Sequence, residues 1–585
     1  MRNVMFGLCV LFVAAAVGCK KEAPAPAPVA AAPEHEKMAA PDVNKDEIQR
    51  VASNFVDDYG TVVGGLYKES ALAYWKAANT GDKASFDEYA AKELEVRKYL
   101  SDTDRYAKLQ QLRKHGNLLE PVTARALEVI ELAYKENQLP ADMLKKLVEK
   151  SSEIEMTFKT HRAEIDGKKY SNNELLDVLG AETDTAKRKQ AWEALKQVGA
   201  VVGPMLLDLA RTRNEAAKLL GYANYWEMRM RMQEHDPDMV VKLFEDLKAK
   251  TDKPFFDMKG ELDRELAAKF GMKPEELMPW HYDNPFFQQA PPAPNLDLDI
   301  FYKHMAKEDI VTLAQKFYTD IGMPIDQIIA NSDYYEREGK DQHAFCTDID
   351  RMGDVRMLLN VKPTAEWMDT MLHEAGHAAY AKYNNPKLPW ALRDAAHILT
   401  TEGIAMLFGA LAKNPAWLKA YAKADPAMVD KVAPELAKQR KREQLIFARW
   451  AMVMFFFEKD LYTNPDNPEL NKIWYDRVVE LQGLVRPAER TAADWAAKPH
   501  FTIAPVYYHN YLLGELFATM LRAKLSEIAA HTGPASELDF VGKADFGRFI
   551  IAQIFEPGMT QPWPEFVKTA FGKPFTPDAF VAEVQ

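Results

Sequence analysis

Apolar residues recur at steps of three and four along most of the chain. Leu195, Val198, Val202, Leu206 and Leu209 mark one such face, and Gly221 follows Leu220 as a stop. The same period predicts helices over residues 43–79, 82–115, 121–152, 184–220, 238–270 and 299–321. Their lengths follow no fixed repeat, which argues against a solenoid. The body from about residue 42 to 585 therefore reads as mainly α. A proline-rich interruption at 279–294 reads as a surface crossing or hinge. The apolar run 445–457 is 13 residues long and contains Arg449, whereas a membrane span needs about 20 apolar residues, so it reads as a buried core helix. Residues 343–348 carry the best strand signal. A turn at Gly353-Asp354 and a second apolar run at 355–361 complete a small hairpin. The helix after it starts at Thr364, an N-cap following Pro363, and must stop at Asn384-Asn385-Pro386.

The first 41 residues differ from this body. Arg2 precedes an apolar stretch at 4–17, and Ala16-Val17-Gly18-Cys19 sets small residues before a cysteine, so residues 1–18 read as a signal peptide. Those last four residues resemble the lipobox of bacterial lipoproteins, which makes Cys19 the expected lipidation site. Residues 19–41, rich in Ala and Pro, would then be an extended tether ahead of the domain at 42–585. Lys20-Lys21, with no Asp after the cysteine, points to an exported protein held by its lipid in the cell envelope, at an outer membrane and facing the periplasm. Cys9 leaves with the signal, so Cys346 is the remaining thiol. An intrachain disulfide and a Cys-rich metal site are both excluded.

Bulk composition narrows the partners. The chain has 585 residues, with 74 Lys+Arg against 86 Asp+Glu for a net charge of −12, and no dense basic run, so no nucleic-acid partner is expected. A mean hydropathy of −0.34 excludes a polytopic membrane protein. No obligate protein partner is evident.

The chemistry sits inside the helix that Thr364 opens, at His373-Glu374-Ala375-Gly376-His377. Helical residues four apart differ by about 40° in direction and about 6 Å in height, so the two imidazoles converge on one point, as Zn2+ with Zn–N of about 2.0–2.1 Å requires. Glu374 lies beside them, in reach of a water on the metal without being a ligand. Met371, Leu372, Ala375, Ala378 and Ala379 make this helix apolar, and burying two histidines and a glutamate there is costly without a compensating cation. Gly376 inside a helix predicts close approach by another segment. A catalytic zinc needs a third protein ligand and one open position. The apolar helix expected over 394–412 offers Glu402, preferred because its neighbours are apolar, with His397 competing. Such a site activates water, and Glu374 would take its proton as the water attacks a carbonyl, then pass it to the leaving nitrogen. An oxyanion donor is also needed, and Tyr508-His509-Asn510-Tyr511 places two phenols three apart on one helical face.

At these residues the sequence resembles the angiotensin-converting enzyme family of zinc peptidyl-dipeptidases. Beyond the zinc motif, the likeness is carried by Asn214-Glu215-Ala216-Ala217 with Gly221-Tyr222, Gln482-Gly483 through Pro487 and Arg490, and Lys498-Pro499-His500. The Tyr508/Tyr511 pair and Pro562-Trp563 complete it. It runs from about residue 184 to the C-terminus. The resemblance implies a large two-lobed helical fold with a deep cleft and a small antiparallel β element beside the active-site helix. It also implies that His373, His377 and Glu402 bind one zinc ion, that Glu374 is the base, and that Tyr511 and His500 stabilise the oxyanion. Lys498 and Tyr508 would grip the C-terminal carboxylate of a short peptide, and His343 and Ala344 would lie on the edge strand along which its backbone pairs.

The sequence also departs from the family. Between the paired tyrosines, where the animal enzymes have a chloride-binding Arg, this chain has Asn510, so the resemblance does not carry chloride activation. Four residues after Glu402, where the family has an Asp that orients a zinc histidine, it has Met406, with Asp369 as a stand-in. The region expected to supply a carboxylate-binding Gln reads Trp280-His281-Tyr282. The expected activity is release of C-terminal dipeptides. The alternatives are internal cleavage of the kind made by the thimet-oligopeptidase family, and a tethered peptide-binding protein without turnover. A Gly-Ala-Met-Glu-Asn type aminopeptidase signature is missing.

Overall fold

The structure, a computed structural model, describes residues 44–585 except 294–295 and 489. The signal peptide, Cys19 and the tether lie outside the described residues.

Capping sets the helix starts. Asn44, Asp184, Asp236 and Thr364 each accept backbone N–H bonds in the first turn of α1 (Lys45–Thr80), α2 (Thr185–Leu219), α3 (Pro237–Phe270) and α4 (Ala365–Tyr383). Three further helices matter for the site: α5 (Ile398–Gly409), α6 (Pro426–Thr463) and α7 (His509–Ile528). Two of the expected helices are broken in two. The stretch 82–115 divides into Lys83–Leu100 and Thr103–Arg113, because Asp102 caps a new start. The stretch 121–152 divides into Pro121–Glu136 and Ala141–Thr160, where Pro140 cannot continue a helix. The last helix of that set begins at Lys307, after a short 3-10 turn at Leu298–Phe301.

Strands are few. β1 (Ala163–Ile165) pairs with β2 (Lys168–Tyr170), and β3 (Phe345–Asp348) pairs antiparallel with β4 (Val355–Leu358), Cys346 opposite Met357. The second pair is the expected hairpin, shorter at each end. His343 and Ala344 stand just before β3, because the Asp341 carboxylate accepts from the His343 N–H and holds it in a turn.

The proline-rich segment 279–294 corrects the sequence reading. It is not a plain surface crossing: among its described residues Trp280, Tyr282 and Phe287 are buried, while Pro292 is exposed. Trp280 meets Trp192 edge-on at 5.9 Å, Arg188 donates to the Trp280 carbonyl at 2.8 Å, and Gln482 donates to the Phe287 carbonyl at 2.9 Å. Its prolines remove backbone donors, and side chains from α2 and the 470–482 helix satisfy the carbonyls instead.

The apolar run 445–457 is the buried middle of α6. Arg449 is fully buried there and donates to Asp252 at 2.8 Å and Thr251 at 2.9 Å on α3. Among the described residues no helix is long and apolar enough to cross a membrane. The main apolar cluster runs through α2 to α7, while a second gathers the N-terminal helices around Leu392 and the Trp390 ring, which meets Tyr59 at 6.1 Å and Tyr67 at 5.6 Å. A cleft of about 2240 Å³ opens beside α4, α6 and α7.

Candidate metal centre and cleft

Helix α4 carries His373, Glu374 and His377, all buried. Its partner α5 brings Glu402, also buried, so that the ligand atoms of His373, His377 and Glu402 lie within 4.8 Å of one another. The His373 Nε2 to Glu402 Oε2 distance is 4.0 Å. Backbone contact makes this convergence possible. A Cβ on Gly376 would sit 3.0 Å from the Ala405 Cα, as the interior glycine predicts. Gly403, next to Glu402, leaves no room either: a Cβ there would lie 2.8 Å from the Gly514 carbonyl oxygen and 2.6 Å from the Phe517 ring. Gly403→Ala is therefore expected to push α5 off α7, costing about 1–3 kcal/mol and weakening metal binding with it. Chemical denaturation and zinc titration would check this, and a variant matching wild type in both would refute the contact argument.

The donor set fits a divalent metal. His373 Nε2 and both Glu402 carboxylate oxygens are buried without a hydrogen bond from the protein, which leaves them free for an ion. Burial pushes the Glu402 carboxyl up to about 8 and the His373 imidazole down to about 4. Burial, then the Glu402 charge, pushes Glu374 up to about 8, against the opposing effect of the Cys346 backbone. All three shifts disfavour charge in a dry site, and a cation at the convergence point reverses that balance for the carboxylates. Two imidazole nitrogens and one carboxylate suit zinc.

His397, the competing third ligand, is excluded. It caps α5, with Nδ1 accepting from the Leu399 N–H at 3.1 Å and Nε2 on the Gln233 carbonyl at 2.6 Å, so both ring nitrogens are used. The outer partner of His377 is Thr401, whose Oγ1 lies 2.7 Å from Nδ1 and leaves Nε2 for the metal side. The sequence reading missed Thr401, although it directly precedes Glu402 and shares its helix. Asp369 is one turn before His373 and acts on it through space, while its carboxylate lies 3.6 Å from Lys413 Nζ.

The cleft wall holds Lys498, His500, Tyr508 and Tyr511. The rings of Tyr508 and Tyr511 are 5.4 Å apart, and His500 lies 5.1 Å from Tyr508. The His500 Nδ1 is buried without a hydrogen bond, and burial holds its imidazole well below the ordinary value. The Tyr508 hydroxyl accepts from the Trp450 indole at 2.7 Å. Burial raises both the Tyr508 and the Tyr511 phenol, which keeps each a proton donor at neutral pH.

Lys498 is buried, with Nζ 5.2 Å above the Trp450 ring and 5.5 Å above Tyr508. Burial, then the like charge of Lys196, lowers it to about 7. It donates to the Gln288 side-chain oxygen at 2.6 Å. Gln288, six residues after Tyr282, thus stands beside Lys498 on the cleft wall, and the proline-rich segment carries it there. Asn510 is buried on the far side of α7, with its oxygen 2.9 Å from His235 Nε2 and its amide donating to Gln233 at 2.6 Å. His343 is half-exposed and tied to Asp341, and Ala344 packs against the main core. The Cys346 backbone, two residues on in β3, faces Glu374.

Comparison with known proteins gives the family. The family profile for angiotensin-converting enzyme matches residues 45–579. The angiotensin-converting enzyme of Mesocricetus auratus is 23% identical over 434 residues, covering 68% of this chain and 32% of the relative. That of Rattus norvegicus is 23% identical over 433 residues, with the same coverage of each chain. That of Oryctolagus cuniculus is 25% identical over 278 residues, covering 45% of this chain and 20% of the relative. The match to the first two spans about a third of their length. With the profile covering nearly all of the described residues and the two-histidine, one-glutamate cluster in the cleft, this chain belongs to the angiotensin-converting enzyme family.

Proposed function

We propose that this protein is a zinc-dependent peptidase that releases dipeptides from the C-termini of short peptides. The observation that carries the reading is the convergence of His373, His377 and Glu402 within 4.8 Å, beside Glu374 and open to the cleft. His373, His377 and Glu402 would hold a zinc ion, which would supply Lewis acidity toward a peptide carbonyl and toward water. Glu374 removes a proton from the attacking water and returns it to the leaving amide nitrogen, so that one peptide bond and one water become a carboxylic acid and an amine. The Tyr511 phenol and the His500 imidazole donate to the oxyanion that develops on the carbonyl oxygen. Lys498, Gln288 and Tyr508 bind the substrate's C-terminal carboxylate, whose charge holds Lys498 protonated. His343 and Ala344 lead into the β3 edge, where the peptide backbone pairs.

The carboxylate grip supports dipeptide release, because a fixed C-terminus sets which bond meets Glu374. A peptide with a free C-terminus is expected to be cleaved at least about 30-fold more efficiently than its C-terminal amide, the lower end of what losing one partner of a buried charge pair costs. Lys498→Met should erase the difference. Equal kcat/KM for acid and amide in the wild type would remove the dipeptidase reading and leave an internal peptidase. On location, we propose that residues 1–18 direct export and that lipid on Cys19 tethers the enzyme to the envelope through residues 19–41. Labelling with a radioactive fatty acid, abolished in Cys19→Ser, checks this.

A further inference from the structure

The cleft wall carries a charge that the reaction above does not use. Glu515 lines the cleft on α7, one turn beyond Tyr511, and is 8% exposed. Its Oε1 accepts from the Gln444 amide of α6 at 2.9 Å, and among the described residues it forms no ion pair. Arg440 acts on it through space alone, and the cations around it pair with other carboxylates. Arg522 lies 2.5 Å and Arg440 3.7 Å from Glu583, and Lys413 lies 3.6 Å from Asp369 and 3.7 Å from Glu443. Four carboxylates, Asp369, Glu443, Glu515 and Glu583, thus share the three cations Lys413, Arg440 and Arg522. A carboxylate this buried with one neutral amide for a partner is costly unless a cation joins it.

We propose that Glu515 selects substrates whose last residue is lysine or arginine. The inference rests on the peptidase reading, which places the substrate's carboxylate at Lys498, Gln288 and Tyr508. Tyr508, which precedes α7 in helical conformation, and Glu515 are seven residues apart, close to two helical turns, so their backbones lie on one face about 10.5 Å apart along the axis. An extended lysine spans about 7–8 Å from its carboxylate carbon to its ammonium. A further charge-assisted bond of about 2.8 Å brings that ammonium to Glu515. Phe447, which also lines the cleft and meets Tyr508 at 6.3 Å between ring centres, flanks the aliphatic stem. An aliphatic side chain of equal length fills the same channel and leaves the carboxylate unpaired.

The test uses the zinc-loaded full chain and N-acylated tripeptides ending in lysine, arginine, norleucine or glutamate. The lysine and arginine peptides are expected to exceed the norleucine peptide in kcat/KM by about tenfold or more, the scale of a hydrogen bond between charged groups. The glutamate peptide is expected to be the poorest. In Glu515→Gln and Glu515→Leu the lysine-to-norleucine ratio should fall to within about twofold of one. Calorimetry with glycyl-lysine and glycyl-norleucine gives the same comparison without turnover. Cleavage of all four peptides with no preference for lysine, or a preference that survives in both variants, overturns the inference and leaves the peptidase intact. If no peptide is cleaved, the peptidase reading falls, and equal binding of the two dipeptides overturns the role of Glu515 by itself.

Discussion

Glu374→Gln is expected to bind zinc as the wild type does and to lower kcat by about 10²–10⁴-fold, the range a positioned general base contributes. The amide keeps the shape of the side chain, so the buried packing around it, with Glu374 1% exposed, is preserved. It cannot accept the proton of the attacking water. Zinc content measured on the purified variant separates this role from ligation. A variant that loses its metal would make Glu374 a ligand, and turnover within about tenfold of wild type would remove it as the base. The same pair of proteins tests the binding-only alternative, in which wild type and Glu374→Gln are equally inert.

Glu402→Ala should weaken zinc binding by more than the 10–100-fold (roughly) that loss of an outer-shell partner costs, and should abolish peptide cleavage at ordinary zinc concentrations. The two histidines remain on α4, but the third donor comes from α5 and nothing beside it substitutes, since both nitrogens of His397 are used. Stability gives a second readout. At a free metal concentration 100 times its Kd, binding stabilises the native state by about 2.7 kcal/mol, so a chelator should lower the wild-type unfolding midpoint and leave that of Glu402→Ala unmoved. Zinc binding of wild-type strength in Glu402→Ala would break the assignment of the third ligand.

Parts of the site were legible before any fold was known because they depend on local geometry. His373 and His377 are one turn apart on a single helix, and Thr364 and Pro386 bound that helix by chemistry confined to a few residues. Gly376 announced a close neighbour without naming it, and the neighbour is Ala405. The residues that escaped detection depend on contacts between distant segments. Gln288 meets Lys498 across 210 positions of sequence, and it does so because a proline-rich stretch that looks like a surface loop is buried under α2 and α6. Thr401 is not legible in the sequence, because a threonine in a helix has no signature until a histidine faces it. The sequence favours Glu402 over His397 but does not exclude the histidine, for the same reason. One caps α5 and the other lies inside it, and only the partners of each side chain show which of them is spent.

What the amino-acid order determined by itself is the helical architecture, the two imidazoles with their adjacent carboxylate, and the family, since period, capping and short motifs act over a turn or two of chain. Tertiary structure alone decided that His397 is spent on other partners, which amide stands beside Lys498, and that Glu515 lines the cleft without an ion pair of its own. These are statements about groups far apart in sequence, and the physical quantity that settles them, how a buried charge or polar atom is compensated, exists only once the chain has folded around it.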